Sequence, residues 1–197
     1  MIVRGTERIV AGADELCALD RAIGDGDHGT NMKRGVEAVL AKAEEIVALP
    51  TGEALSAIGK TLVMTVGGAS GPLYGSFFLA AGAALERGRR LPRDLADVFA
   101  AGVDAVGARG RSTAGEKTML DVLVPVLDTL RAEAGRPDLA VRVRATAQQS
   151  AERTAPMLAT KGRAAYLGQR SVGHIDPGAR SSCLIVEAIC DIWEERL

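Results

Sequence analysis

Apolar residues recur along this chain at intervals of three and four, and the pattern breaks wherever glycine or proline gathers. Such spacing puts them on one face of a helix, which turns once every 3.6 residues. Ile2, Ile9, Val10, Ala13, Leu16 and Cys17 predict a first helix. Met32, Val36, Val39, Leu40, Ala43 and Val47 predict a second, ended by Pro50. Leu55, Ile58, Leu62, Val63 and Val66 define a third, stopped by Gly67-Gly68. Ser70 followed by Pro72 opens a fourth, with Leu73, Phe77, Ala80, Ala81 and Ala84 on its apolar face. Pro92 opens a fifth with Leu95, Val98, Phe99, Gly102, Val103 and Val106. A sixth begins near Gly115 and carries Met119, Leu120, Leu123, Val124 and Leu127, with a bend expected at Pro125. The seventh spans Pro137 to Thr160 and should kink at Pro156. The eighth follows Pro177-Gly178 and bears Ile185, Val186, Ile189, Ile192 and Trp193. No stretch alternates with period two between hairpin turns, so no strand is predicted. Neither a repeat nor a shift of composition divides the chain. The expectation is an all-α bundle of eight helices in one domain over residues 1–197.

Four polar, glycine-rich loops interrupt this background, at 23–31, 67–71, 107–117 and 161–178. The first is the most informative. Asp20, Asp25 and Asp27 fall close together around Gly24, Gly26 and Gly29, glycines that argue against regular helix. Carboxylates folded to one point repel one another unless a cation sits among them. With oxygen ligands the natural occupant is a hard divalent ion, Mg²⁺ or Ca²⁺. The last loop is long for a compact domain, which fits a binding loop.

Composition narrows the classes. The chain has 197 residues, 47% hydrophobic and 3% aromatic, with a net charge of −1. Such a balance gives no electrostatic footprint for nucleic acid or an anionic membrane. The three cysteines, Cys17, Cys183 and Cys190, lack metal-binding spacing and read as reduced core residues. The N-terminus has no signal-peptide pattern and no apolar run reaches membrane-spanning length, so a soluble cytoplasmic protein is expected.

Each motif also has a plainer reading. Gly24 to Gly29 matches GxGxxG, but a helix rather than a strand precedes it, and bare carboxylates would repel a pyrophosphate. A calcium hand starting at Asp25 fails, because Thr30 occupies the glycine position and Val36 the last ligand position. Helix capping accounts for one aspartate, not three. Gly110 to Thr118 resembles a P-loop with one residue too many, Glu116 displacing Lys117. Gly67-Gly68-Ala69-Ser70-Gly71-Pro72 is either a tight interhelical turn or a phosphate cradle at a helix N-terminus. His174 and Asp176 either cap a turn or touch a ligand. Ser181 and Ser182 read as first-turn residues rather than nucleophiles. Arg163 and Arg170 are either phosphate partners or solvated.

Together the motifs Ile23-Gly24-Asp25-Gly26-Asp27-His28-Gly29, Gly67 to Gly75, Gly115-Glu116-Lys117-Thr118-Met119 and Tyr166 to Ala179 resemble the nucleotide-binding L subunit of bacterial dihydroxyacetone kinases. The likeness covers essentially the whole chain in order. Glu116 and Gln169 depart from the family's usual Asp and Glu. The resemblance implies an antiparallel eight-helix barrel with ADP or ATP at one end. It implies two Mg²⁺ on Asp20, Asp25 and Asp27, phosphates near His28, Gly29, Thr30, Asn31, Ala69 and Ser70, and adenosine near Gly110, Met119, Arg163, Asp176, Pro177 and Gly178. It further implies a phosphohistidine donor (the M subunit of the phosphotransferase system) and a K subunit that holds the ketose. No covalent nucleophile is expected in this chain, and a homodimer is left open. Because the chain ends at Leu197, a stand-alone subunit is favoured over the L domain of a fused ATP-dependent ketose kinase. A non-catalytic nucleotide-binding regulatory module is the alternative from another class.

Overall fold

A computed structural model describes residues 1–195. Among these the chain is all-helical: α1 Ile2–Ala11, α2 Ala13–Ile23, α3 His28–Leu40, α4 Ala43–Val47, α5 Thr51–Thr65, α6 Ser70–Glu86, α7 Leu95–Gly110, α8 Leu120–Ala132, α9 Leu139–Arg153 and α10 Pro177–Glu194, with a 3-10 segment, Arg163–Ser171, between the last two.

The packing order follows from the contacts. Helix α1 lies on α3, α3 on α5, and from α5 to α10 each helix packs on the next; α10 then returns to α1. The short helix α2 sits against α3 and the 3-10 segment, and α4 against α5. Glycines bring α5 and α6 together: a Cβ on Gly59 would lie 2.8 Å from the Gly75 carbonyl, and one on Gly82 2.5 Å from that of Gly52. Seven-residue spacing on both helices makes this a continuous seam, where backbone meets backbone. Ile9, Leu16, Met32, Leu62, Tyr74, Val106, Leu120 and Leu184 share one core cluster. A second joins α8, α9 and α10 through Val122, Val126, Val143, Ala147, Cys183 and Cys190. Burying each such side chain contributes on the order of 1.5–3 kcal/mol. No described helix is long and apolar enough to cross a membrane.

The helix count differs from the expected eight for local reasons. The first apolar stretch divides at Gly12, where a Cβ would meet Leu184 Cδ1 at 2.7 Å. The second divides after Leu40, before α4. Pro125 lies within α8, as expected, whereas Pro156 falls beyond the end of α9, so it kinks no helix. The sixth helix starts at Leu120 rather than near Gly115. Gly29 belongs to α3, not to a loop. Its role is close packing, since a Cβ there would lie 1.9 Å from the Ala13 carbonyl oxygen.

Candidate functional site

The loop between α2 and α3 is shaped by Asp20. Its Oδ2 accepts hydrogen bonds from the backbone N–H of Asp27 (2.9 Å) and His28 (3.2 Å), so a residue of α2 caps the start of α3. Gly24 leaves room for this, since a Cβ there would lie 2.2 Å from Asp20 Oδ1. Gly26 then takes a positive φ of 80°, which turns the chain back. The outcome is that Asp20, Asp25 and Asp27 each offer an oxygen within 4.8 Å of the others. Asp20 is buried while Asp25 and Asp27 are exposed. Arg163, from the 3-10 segment, donates to Asp25 and is the guanidinium paired with this cluster among the described residues. Three converging carboxylates and one guanidinium leave an excess of negative charge, the donor chemistry that suits a hard divalent cation.

Beside the carboxylates, α6 begins at Ser70, after a turn in which Gly68 has φ 66°. Unpaired N–H groups at a helix start carry partial positive charge. Ser70 Oγ lies 3.1 Å from His28 Nδ1, and His28 Nε2 lies 2.8 Å from Ser181 Oγ on α10. Burial holds the His28 imidazole below its ordinary range, against the pull of Asp20 and Asp27. Tyr74, four residues into α6, has its hydroxyl 2.7 Å from Ser181 Oγ and 2.9 Å from Ser182 Oγ. Burial pushes that phenol up to about 12, opposed by the two serines.

The opposite wall is built around Lys117. It is 1% exposed, and its ammonium donates to the carbonyls of Thr154 (2.8 Å), Ala155 (3.2 Å), Met157 (3.2 Å) and His174 (2.5 Å). Desolvation lowers its pKa, countered by Asp176. The residue has φ 61°, and its loop is held by Asp121, which accepts from Gly115 N (2.5 Å) and Thr118 N (2.7 Å). Asp176 caps α10 by accepting from Ala179 N at 2.7 Å. Burial pushes its carboxyl up to about 7, opposed by that hydrogen bond and by Lys117.

These walls enclose one cavity of about 500 Å³. Its lining includes Asp20, Asp25, Asp27, His28, Asn31, Ala69, Ser70, Gly110, Met119, Arg163, Asp176, Pro177 and Gly178. Two of the expected residues stand apart. Gly29 is pressed against Ala13, and Thr30 turns its hydroxyl toward Cys17 Sγ at 3.5 Å; neither lines the cavity. Arg170 and His174 are also outside the lining, although the His174 carbonyl serves Lys117. The P-loop reading is excluded by geometry, because the Lys117 ammonium is enclosed by carbonyls and no strand leads in. Asp176 caps α10 and also lines the cavity.

Sequence reasoning missed the Lys117 cage, the loop-holding role of Asp121 and the hydroxyl network of Tyr74, Ser181 and Ser182. For the cage no sequence signal existed, since its acceptors are backbone carbonyls. Tyr74 offered one: a buried phenol needs a partner for its hydroxyl.

Residues 22–191 match the DAK2 domain, and the chain belongs to that family. It is 43% identical over 183 residues to the ADP-binding subunit DhaL of the PEP-dependent dihydroxyacetone kinase of Escherichia coli strain K12, covering 90% of this chain and 87% of the relative. A Listeria innocua relative of the same description is 42% identical over 183 residues, covering 93% and 89%. The crystal structure of the C. freundii dihydroxyacetone kinase in complex with AMP-PNP and Mg²⁺ superposes with a TM-score of 0.78 at 27% identity, covering 97% of this chain and 33% of that one.

Proposed function

We propose that this chain binds a magnesium-loaded adenine nucleotide and acts as the phosphoryl-carrying L subunit of a dihydroxyacetone kinase. A phosphohistidine partner would recharge its ADP, and the phosphoryl group would pass to dihydroxyacetone held on a K subunit. One observation carries the reading: three carboxylates within 4.8 Å of one another share a 500 Å³ cavity with the glycine-rich start of α6.

Asp20, Asp25 and Asp27 would hold two Mg²⁺ ions, which when bound supply positive charge against the phosphate oxygens. The chain's own residues then position the nucleotide. The backbone N–H groups at the start of α6 and the Ser70 hydroxyl donate to phosphate oxygens, a charge-assisted contact of about 1.5–3 kcal/mol. Met119, Pro177, Gly178 and Gly110, with Leu73, Val106 and Leu120, offer an apolar flank for the adenosine. Arg163 places a further positive charge beside Asp25. Catalysis of phosphoryl transfer rests on such positioning and charge neutralisation rather than on a covalent step.

The division of labour has structural support. Both ring nitrogens of His28 are engaged by serines, and Cys183 and Cys190 are buried away from the cavity, their thiols pushed up to about 12 and about 11 by desolvation. His28, Cys183 and Cys190 are thus not placed to hold a ketose. The isolated protein should therefore not phosphorylate dihydroxyacetone from ATP in multiple turnovers. Adding a K-type subunit and a phosphohistidine donor should give sustained turnover. Rapid turnover by this chain alone, followed with labelled ATP, would overturn the subunit reading.

A further inference from the structure

Beside the glycine-rich turn that leads into α6, two residues of α3 hold each other in one arrangement. Asn31 is buried and lines the cavity, while Arg34, three residues on, is exposed. At that spacing on a helix the two side chains are neighbours. Arg34 Nη2 donates to Asn31 Oδ1 at 2.7 Å, and Arg34 Nε donates to the Thr65 carbonyl at 2.7 Å. Thr65 ends α5, so no N–H of that helix reaches its carbonyl. Two acceptors from different helices fix the plane of the guanidinium. Gly67 completes the fit. A Cβ there would lie 2.6 Å from Asn31 Oδ1 and 2.8 Å from Arg34 Nη2, so only bare backbone lets the turn lie against the pair.

The pairing sets the direction of the Asn31 amide. Its oxygen and nitrogen ends have nearly the same shape, so the partner decides which one faces where. A guanidinium only donates, and it stays charged at any pH the protein meets. Turned the other way, the amide would set its NH₂ against those N–H groups, two donors with no acceptor. The oxygen therefore faces Arg34, and the NH₂ faces away from it. Among the described residues no acceptor is hydrogen-bonded to that NH₂, although Asn31 is only 7% exposed. The side chain lines the cavity with Asp27, Gly67 and Ser70, so a buried donor is directed to the place where a ligand would bring an acceptor.

We propose that Arg34 is a positioning residue: it holds the Asn31 amide with its NH₂ toward the cavity, where that group donates to a phosphate oxygen of the nucleotide. This rests on the reading above that a nucleotide occupies the cavity. Arg34 touches no ligand in this scheme; it acts through Asn31, and its bond to Thr65 ties the turn before α6 to α3. The amide is ordered before the ligand arrives, so binding does not have to supply that ordering.

The test uses the full chain. It contains a single asparagine, so selective ¹⁵N labelling of asparagine gives one side-chain NH₂ pair in the whole spectrum. Calorimetry with Mg²⁺ and ADP comes first; no binding there overturns the proposed function, and this inference with it. With binding established, the NH₂ pair of the native chain should be rigid on the nanosecond scale, with a heteronuclear NOE like that of the helical backbone. It should shift on adding Mg²⁺ and ADP, beyond its response to Mg²⁺ alone. An NH₂ pair that ADP does not move overturns the inference while the function stands. In Arg34→Met the unliganded pair should become mobile, and the ADP dissociation constant should rise about tenfold, the order of one hydrogen bond. In an Asn31→Ala background the same change should add about twofold at most, because both act on one contact. A pair that stays rigid in Arg34→Met, or losses at the two positions that simply multiply, would mean that Arg34 is only a tie between α3 and α5, and the proposal falls.

Discussion

The two walls of the cavity treat charge in opposite ways. On one, Asp20, Asp25 and Asp27 converge within 4.8 Å and meet, among the described residues, a single guanidinium, from Arg163. On the other, the Lys117 ammonium is enclosed by four carbonyls at 2.5 to 3.2 Å, one more acceptor than it has hydrogens. The lysine wall is satisfied from within the chain and therefore serves the architecture: it ties the loop after α8's predecessor, α7, to the segments that follow α9 and precede α10. The aspartate wall leaves charge unbalanced, at a cost in the free protein that only a cation from outside removes. Unbalanced charge marks where a ligand acts, and balanced charge marks what holds that place in shape.

Three substitutions should separate the walls. The largest effect is expected at Lys117→Met, which keeps the stem but leaves four carbonyls without their ammonium. Leaving a buried acceptor without its donor typically costs about 1–3 kcal/mol, and four carbonyls share this ammonium. For a chain of this size that lowers the melting temperature by roughly 10 °C. Thermal denaturation followed by circular dichroism should show this with or without nucleotide. A shift of only a degree would mean that the cage is not a structural tie.

Asp25→Ala should do the reverse. Without ligand its stability should match or slightly exceed that of the native chain, because one of three repelling carboxylates is gone. The rise in melting temperature on adding Mg²⁺ and ADP should disappear, a loss of about 2.7 kcal/mol at ligand concentrations a hundredfold above the dissociation constant. Destabilisation of the unliganded variant comparable to that of Lys117→Met would erase the contrast between the walls.

The smallest effect concerns pH. Asp176 has a folded pKa of about 7 against an ordinary value of 3.8, so the folded state binds its proton more tightly than the unfolded state. A raised pKa contributes stability that is full below about 4 and is lost as pH rises through about 7. The native chain should thus lose a few degrees of melting temperature between pH 5 and 8 relative to Asp176→Asn, which retains an acceptor for the Ala179 N–H. Parallel pH profiles for the two proteins would show that Asp176 does not titrate in this range.

Much of this was legible in the chain. The three-four spacing predicted the α-helical stretches, because an apolar stripe has to be buried whatever its partner, but not the 3-10 segment Arg163–Ser171, which falls in a predicted loop. The aspartates could be read as a cluster, since three carboxylates around glycines have few other uses. Helix ends were less legible. Gly12 separates α1 from α2 where Leu184, far away in sequence, leaves no room for a Cβ, and Gly29 sits in α3 where the Ala13 backbone leaves none. Both effects are tertiary. For the same reason the lysine cage was invisible: no residue type encodes a backbone carbonyl. The likeness to a P-loop at Gly110 to Thr118 already failed in the sequence at Glu116, and the Lys117 ammonium is instead enclosed by backbone carbonyls.

The central claim is that the unbalanced aspartate wall exists to hold a metal-bound nucleotide. The most direct measurement is calorimetric titration of ADP into metal-free protein, with Mg²⁺ present in one cell and a chelator in the other. The account predicts tight binding with Mg²⁺ and none measurable without it. Equal affinity in the two cells would contradict it.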